Sequence, residues 1–145
     1  MELLTLFGPL DALEPYVEYV VFALVLANLV TRQRAHFNHV RQADASDADE
    51  KIARSRLHES INVVLLLTAF YYATVDPHGG VIMSVLVAGM VVTDFFEFEA
   101  RRVEARNGRP IDLPKGAIVA SVVVLLYAAY QALFHFIAGP FGAIV

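Results

Sequence analysis

Residues 115–138 read KGAIVASVVVLLYAAYQALFHFIA, and this stretch decides the class of the fold. After Lys115 it contains no Asp, Glu, Lys or Arg. A run of about 20 mostly apolar residues is long enough to cross the hydrocarbon core of a bilayer as an α-helix. We therefore predict that residues 115–138 form a transmembrane helix.

Three further stretches of similar character precede it, at residues 15–35, 58–76 and 79–100. The second is the least apolar of them, because Glu59 and Asn62 lie in its first turn. Hydrophobic residues make up 57% of the 145-residue chain, against roughly 45–50% in soluble domains. The sequence thus predicts an all-α, multi-pass protein of the cell membrane, with one domain (residues 1–145) built as a bundle of four transmembrane helices.

The basic residues are confined to two segments between the predicted spans. All 11 Lys and Arg residues lie within residues 32–56 and 101–115. Because loops rich in Lys and Arg stay on the cytoplasmic side, we predict cytoplasmic loops at about 36–57 and 101–114. The N-terminus and the C-terminus would then both be non-cytoplasmic. Residues 1–14 are apolar but too short to cross, and we expect them to lie along the outer interface.

Helix packing is indicated by a short link and by small residues. Residues 75–80 alone join the second and third spans, so these spans are predicted to be antiparallel neighbours. Small residues allow helices to approach closely within a bilayer. They recur at four-residue intervals in three spans: Gly80, Ser84 and Ala88; Gly116 and Ala120, then Ala128 and Ala132; Ala23 and Ala27. They would serve the bundle or contact with another subunit equally well.

Polar side chains collect near the inner ends of the first three spans. The residues predicted to form this structural polar layer are Asn28, Arg32, Asn62, Asp94, Glu97 and Arg101. Charged groups within a membrane are expensive unless they are paired. We expect Arg32 to pair with Asp94 or Glu97, and Glu97 precedes Arg101 by four residues, the favourable order for an ion pair on one helix.

The same region holds candidate metal ligands. They are His36, His39, His58, Glu59, Asp94 and Glu97. Imidazole and carboxylate groups suit iron, zinc or manganese, and His36 with His58 would serve as the two axial ligands of a haem. The Glu-x-x-His motifs of di-iron bundles are missing from the sequence. We predict no cofactor, with a metal- or haem-binding redox subunit as the alternative.

Catalysis and ion passage receive less support from the sequence. The chain has no cysteine. Ser60 follows His58 and Glu59 directly, and neighbouring positions on a helix point in different directions, so these residues cannot form a triad among themselves. We assign no catalytic residue, and an enzyme is disfavoured.

A path for ions or solutes needs ionisable groups across the whole depth of the bilayer. In the outer half of the predicted spans, the candidates are Glu18 and His135. We therefore expect an ion or solute path only in an oligomer.

Two segments carry a family resemblance. They are DFFEFEARRVEAR (94–106) and PKGA (114–117), the latter just before an apolar span. With the overall plan, they make the chain resemble small, uncharacterised, four-helix membrane proteins of haloarchaea over nearly its whole length. The resemblance implies a halophilic archaeal host and the cell membrane, and it implies no activity or ligand. Few lysines and the alanine- and aspartate-rich stretch 44–50 point to the same host.

These observations favour a non-enzymatic accessory, assembly or scaffold subunit of a membrane complex. The expected partners are the lipid bilayer and either another membrane subunit or a second copy of the chain. The net charge is -4 at pH 7, whereas nucleic-acid-binding domains are basic. Nucleic acid is therefore not an expected partner. The alternatives are the metal or haem subunit and a small ion or solute channel formed by oligomerisation.

Overall fold

The computed structural model describes residue 12, residues 14–45 and residues 52–144, with side chains placed at 12, 14–43 and 52–134. The predicted interfacial segment, residues 1–14, lies outside the described residues except for Ala12 and Glu14. Most of the acidic stretch 44–50 and the side chain of His135 also lie outside them.

The described residues fold into four α-helices: α1 (Val17–Ala45), α2 (Arg56–Val75), α3 (Pro77–Arg106) and α4 (Lys115–Ile144). The helices α1 and α3 extend beyond the predicted spans 15–35 and 79–100 into the loops. This is expected of a sequence that has no Gly or Pro to break the helix between residues 16 and 76 or between residues 90 and 107. The chain is all-helical within the described residues, as predicted.

The link between α2 and α3 is shorter than the predicted turn at 75–80, because α3 already begins at Pro77. Asp76 alone joins the two helices and caps both. Its N–H donates to the carbonyl of Tyr72 at 2.8 Å, and its carboxylate accepts from the N–H of Gly79 at 3.3 Å. Pro77 suits the first helical position, where its missing N–H has no partner to lose. The two helices are therefore a tight antiparallel pair.

The α3 helix ends in a Schellman motif. Gly108 has a φ of +69°, and its N–H donates to the carbonyl of Ala105 at 3.1 Å. The N–H of Arg109 donates to the carbonyl of Glu104 at 2.9 Å. Glycine adopts this left-handed conformation without the steric penalty of a Cβ atom. The predicted break at Gly108-Arg109-Pro110 therefore has a local cause.

The four helices pack in a ring, in which α1 and α3 each contact both α2 and α4. Contacts such as Thr31 with His58 and Glu97 with Gly116 join the C-terminal half of one helix to the start of the next. The helices therefore alternate in direction. We call the end at which α1 and α3 finish and α2 and α4 begin the basic end, because the Lys and Arg residues among the described residues lie there. The opposite end carries Glu18, Asp76 and Gln131.

The centre of the bundle is apolar. Its buried side chains include Val21, Val25, Leu65, Met83, Val87, Met90 and Val124. Close packing of α2 and α3 depends on Gly80, where a Cβ atom would collide with the backbone of Tyr72 and Ala73. This is the close approach that small residues permit inside a membrane.

Three of the four helices, α1, α3 and α4, are long and apolar enough to cross a membrane. The second helix, with 20 residues, is not among them. Its first two turns hold His58, Glu59 and Asn62, which lower its mean hydropathy. The chain therefore has the helices of a membrane protein.

Candidate functional site

A closed loop of hydrogen bonds joins three helices near the basic end. Arg32 Nη1 donates to Asn28 Oδ1 at 2.7 Å, and Asn28 Nδ2 donates to Asn62 Oδ1 at 2.5 Å. Asn62 Nδ2 donates to Asp94 Oδ2 at 2.8 Å, and the same oxygen pairs with Arg32 Nη2 at 3.1 Å. We call Asn28, Arg32, Asn62 and Asp94 the polar ring.

His58, Ser121 and Thr31 extend the polar ring, the first two by direct bonds to it and Thr31 through His58. His58 Nε2 donates to Asp94 Oδ2 at 2.5 Å, and His58 Nδ1 lies 2.8 Å from the hydroxyl of Thr31. Ser121 accepts a hydrogen bond from Arg32 Nη1 and donates to the carbonyl of Ala117. Ser121 comes from α4, so all four helices contribute. The arrangement therefore fixes the mutual register of the whole bundle.

Burial makes this pairing strong and also necessary. The side chain of Arg32 is 4% exposed and that of Asp94 is 13% exposed. At such sites an ion pair is screened little by solvent, and each charge is costly without its partner. Asp94 Oδ2 accepts from Arg32, His58 and Asn62 together. Asp94 is therefore the centre of the site.

The two remaining members of the predicted polar layer lie next to the ring with different partners from those expected. Glu97 Oε1 accepts from the backbone N–H of Gly116 at 2.5 Å and of Ala117 at 3.2 Å, so it caps the start of α4. Arg101 pairs with Glu104 at 3.0 Å. A carboxylate is stabilised at a helix N-terminus by the free N–H groups and the helix dipole. Arg32 accordingly pairs with Asp94 and not with Glu97.

A cavity of about 40 Å³ opens beside the polar ring. Its lining residues include all six candidate metal ligands: His36, His39, His58, Glu59, Asp94 and Glu97. Among the described residues, however, no three His, Asp or Glu side chains converge closely enough to hold a metal ion. These residues share a cavity without forming a coordination sphere.

His39 and Glu59, which also line this cavity, have partners outside the polar ring. His39 Nε2 lies 3.0 Å from the carbonyl oxygen of Ala53, and its ring packs on Phe98 with centroids 5.2 Å apart. Glu59 pairs with Arg54 at 3.4 Å. Arg54 also lies over the ring of Phe98, 4.3 Å from its centroid. These contacts hold the segment before α2 against the side of α3.

Two residues of the site were missed by sequence reasoning, Thr31 and Ser121. Both are buried. Ser121 lies among 23 residues without a formal charge, residues 116–138, four positions after Ala117 on the packed face of α4. A lone hydroxyl on that face is the signal that could have identified it. Thr31 precedes Arg32 directly and carries no such signal.

A second polar cluster lies at the opposite end of the bundle. The buried hydroxyl of Tyr72 donates to Gln131 Oε1 at 2.9 Å and lies 3.5 Å from Glu18 Oε1. Gln131 Nε2 donates to the hydroxyl of Tyr127 at 3.0 Å, whereas Tyr130 is exposed. The apolar centre of the bundle separates this cluster from the polar ring.

In a comparison with known protein families, a family model matches residues 2–145. The family is described as Domain of unknown function (DUF7313). The chain belongs to this family. The match confirms the part of the resemblance that places the chain in an uncharacterised family. No curated protein and no solved structure matches the DUF7313 chain.

Proposed function

We propose that this DUF7313 protein is a non-enzymatic accessory, assembly or scaffold subunit of a membrane complex. The observation that carries the proposal is the polar ring. Its polar side chains bind one another across three helices, and Ser121 joins the fourth helix to Arg32. Such a network, when satisfied internally, rigidifies and specifies a fold. A rigid bundle with an apolar exterior is suited to holding a partner in place.

The proposed topology has four membrane crossings, with the basic end in the cytoplasm and both termini outside. The confinement of Lys and Arg to one end supports this orientation. For α2, His58 and Asn62 face the bundle interior, while its exposed large side chains after Arg56 are apolar. They are Leu57, Val63, Val64, Leu67 and Phe70. A helix of 20 residues is about 30 Å long, enough to cross.

The proposed docking surface consists of the two cytoplasmic connections. The basic one, residues 101–115, exposes Arg106 and Arg109, and the acidic one includes residues 44–50. Opposite charge would steer either segment towards a complementary subunit, and the basic one also suits anionic lipid headgroups. A halophilic archaeal host is part of the proposal, because few lysines and acidic loops suit high salt.

The test is a native mass spectrum of the particle extracted from its own membrane in mild detergent at high salt. We expect the mass of this chain together with one or more other subunits. Replacing Arg106 and Arg109 with Gln should release those subunits. The matched control replaces Arg34 and Arg41, which are exposed on α1, and should leave the particle intact.

Two outcomes would contradict the accessory role. Extra mass corresponding to iron, zinc or haem would favour the redox subunit, for which the histidines around the cavity are the available ligands. A particle made only of copies of this chain, together with ion or solute flux in liposomes, would favour the oligomeric channel.

A further inference from the structure

We propose that the outer face of α1, at the basic end, binds an anionic phospholipid. An open groove runs along this face, and all of its lining residues belong to α1. They are Leu29, Val30, Gln33, Arg34, Phe37, Asn38 and Arg41. The inference rests on the proposed membrane crossing of α1, and it does not depend on the accessory role.

The first argument is charge. Arg34 and Arg41 are exposed, and neither has a hydrogen bond or an ion pair with the side chains that the structure describes. Between Tyr19 and Ala43, α1 has no Asp or Glu. The less exposed arginines among the described residues, by contrast, each pair with a carboxylate: Arg32, Arg54, Arg101 and Arg102. This face of α1 therefore offers two positive charges to an anionic partner.

The second argument is depth in the membrane. A helix that begins to cross at Pro15 leaves the hydrocarbon core after about 20 residues, so Arg34 lies where the core ends. Arg41 follows two turns later, about 10 Å further along the helix axis. The headgroup layer is roughly 5–8 Å thick, and the long side chain of Arg41 can extend back into it. Both guanidinium groups can therefore contact lipid phosphates.

The third argument is the apolar part of the groove. Val30 is 68% exposed and Phe37 is 51% exposed, and Leu29 adjoins them. Leu29 and Val30 precede Arg34 by about one helical turn, on the side of the hydrocarbon core. A soluble anion would contact the arginines alone, whereas a phospholipid would also cover these apolar side chains with an acyl chain. The combination favours a lipid.

The headgroup should decide which lipid binds. Guanidinium groups form strong, charge-assisted hydrogen bonds with phosphate. A glycerol headgroup adds hydroxyls that can bind the side-chain amides of Gln33 and Asn38. A choline headgroup instead brings a positive charge close to the arginines, which repel it. We therefore expect this face to prefer phosphatidylglycerol over phosphatidylcholine.

The experiment uses a tryptophan as a local reporter, because the chain has none. Val30→Trp reports on the groove, and Val92→Trp on α3 is the matched reference. Val30 and Val92 are 68% and 54% exposed. Each precedes a member of the Arg32–Asp94 ion pair by two residues, so their depths are similar. In phosphatidylcholine vesicles, fluorescence quenching by brominated phosphatidylglycerol is compared with quenching by brominated phosphatidylcholine.

We expect Val30→Trp to report a preference of about fivefold or more for phosphatidylglycerol. A single basic residue near a membrane surface contributes about that factor. At Val92→Trp the two lipids should quench nearly equally, because the α3 surface beside it exposes the uncharged side chains of Phe95 and Phe96.

Substitutions in the Val30→Trp protein test the role of charge. Arg34→Gln combined with Arg41→Gln should abolish the preference, and should leave thermal unfolding unchanged because neither arginine has a described partner. The matched control combines Arg56→Gln with Arg102→Gln. It removes the same charge from α2 and α3, outside the groove, and should retain the preference.

Three results would overturn the proposal. The first is a preference at Val30→Trp no larger than at Val92→Trp, and the second is a preference that survives Arg34→Gln with Arg41→Gln. The third is loss of the preference on adding inorganic phosphate, since the face would then bind a soluble anion. The vesicles contain this chain alone and have the same lipids in both leaflets. None of these results therefore bears on the accessory role or on the orientation.

Discussion

Replacing Asp94 with Ala should destabilise the bundle more than any change at its surface. The variant removes the carboxylate that accepts from Arg32, His58 and Asn62. The charge of Arg32, whose side chain is 4% exposed, then lacks its counter-ion. Removing one partner of a buried ion pair costs about 3–5 kcal/mol. We expect a loss of this size in the free energy of unfolding, measured by SDS titration in mild detergent micelles.

The matched control is Glu99→Ala on the same helix. Glu99 also pairs with arginines, at 2.7 Å to Arg54 and 3.3 Å to Arg102, but its side chain is 40% exposed. Exposed pairs contribute about 0–1 kcal/mol, because water and salt screen them. We therefore expect Glu99→Ala to cost less than about 1 kcal/mol.

A double variant distinguishes two causes of the lost stability, the unpaired charge of Arg32 and the loss of the hydrogen bonds to Asp94. Adding Arg32→Met to Asp94→Ala removes the unpaired charge, so it should recover part of the lost stability. If Asp94→Ala costs no more than Glu99→Ala, Asp94 is not a required counter-ion of Arg32. If the double variant is less stable than Asp94→Ala alone, the loss does not come from an unpaired charge.

Two further predictions concern packing and the second polar cluster. Gly80→Ala should lower the free energy of unfolding by about 1–3 kcal/mol, because the new Cβ atom meets fixed backbone. At Gly89 nothing lies within 4 Å of a Cβ atom. Gly89→Ala should therefore leave the stability unchanged or raise it by up to about 1 kcal/mol. Equal effects of the two changes on SDS-induced unfolding would contradict this account of the α2–α3 contact. Tyr72→Phe should cost about 1 kcal/mol through the lost bond to Gln131, whereas Tyr130→Phe at an exposed position should be silent in thermal unfolding. A silent Tyr72→Phe would show that its buried hydroxyl contributes nothing.

The sequence predicted the helices well because the signals for them are local. Apolar stretches locate the starts of the four helices within two residues, and Gly108 marks the end of α3 through its backbone conformation. The length of the α2–α3 link was overestimated, since Pro77 begins a helix as readily as it forms a turn. The helices α1 and α3 extend past the predicted spans because no Gly or Pro interrupts them, and a search for apolar stretches does not detect this.

The polar ring was only partly predictable, because its partners come from different helices. Asn28 and Arg32 are four residues apart, so they were predicted to share one face of α1. Because an unpaired charge in a membrane is costly, Asp94 was predicted as a candidate counter-ion of Arg32. Spacing also suggested that Glu97 would pair with Arg101. The structure instead puts Glu97 at the N-terminus of α4, whose free N–H groups compete for a carboxylate. The sequence of α3 alone does not show that the start of α4 lies beside Glu97.

Four crossings, with the polar ring at the cytoplasmic end, require the two ends of α2 to lie on opposite sides of the membrane. The chain has no cysteine, so single cysteines at the exposed positions Ser60 and Thr74 can be labelled selectively with a membrane-impermeant maleimide. We predict that Thr74→Cys reacts in intact cells, and that Ser60→Cys reacts only after the membrane is opened. Reaction of both cysteines from the same side would contradict the four-span topology.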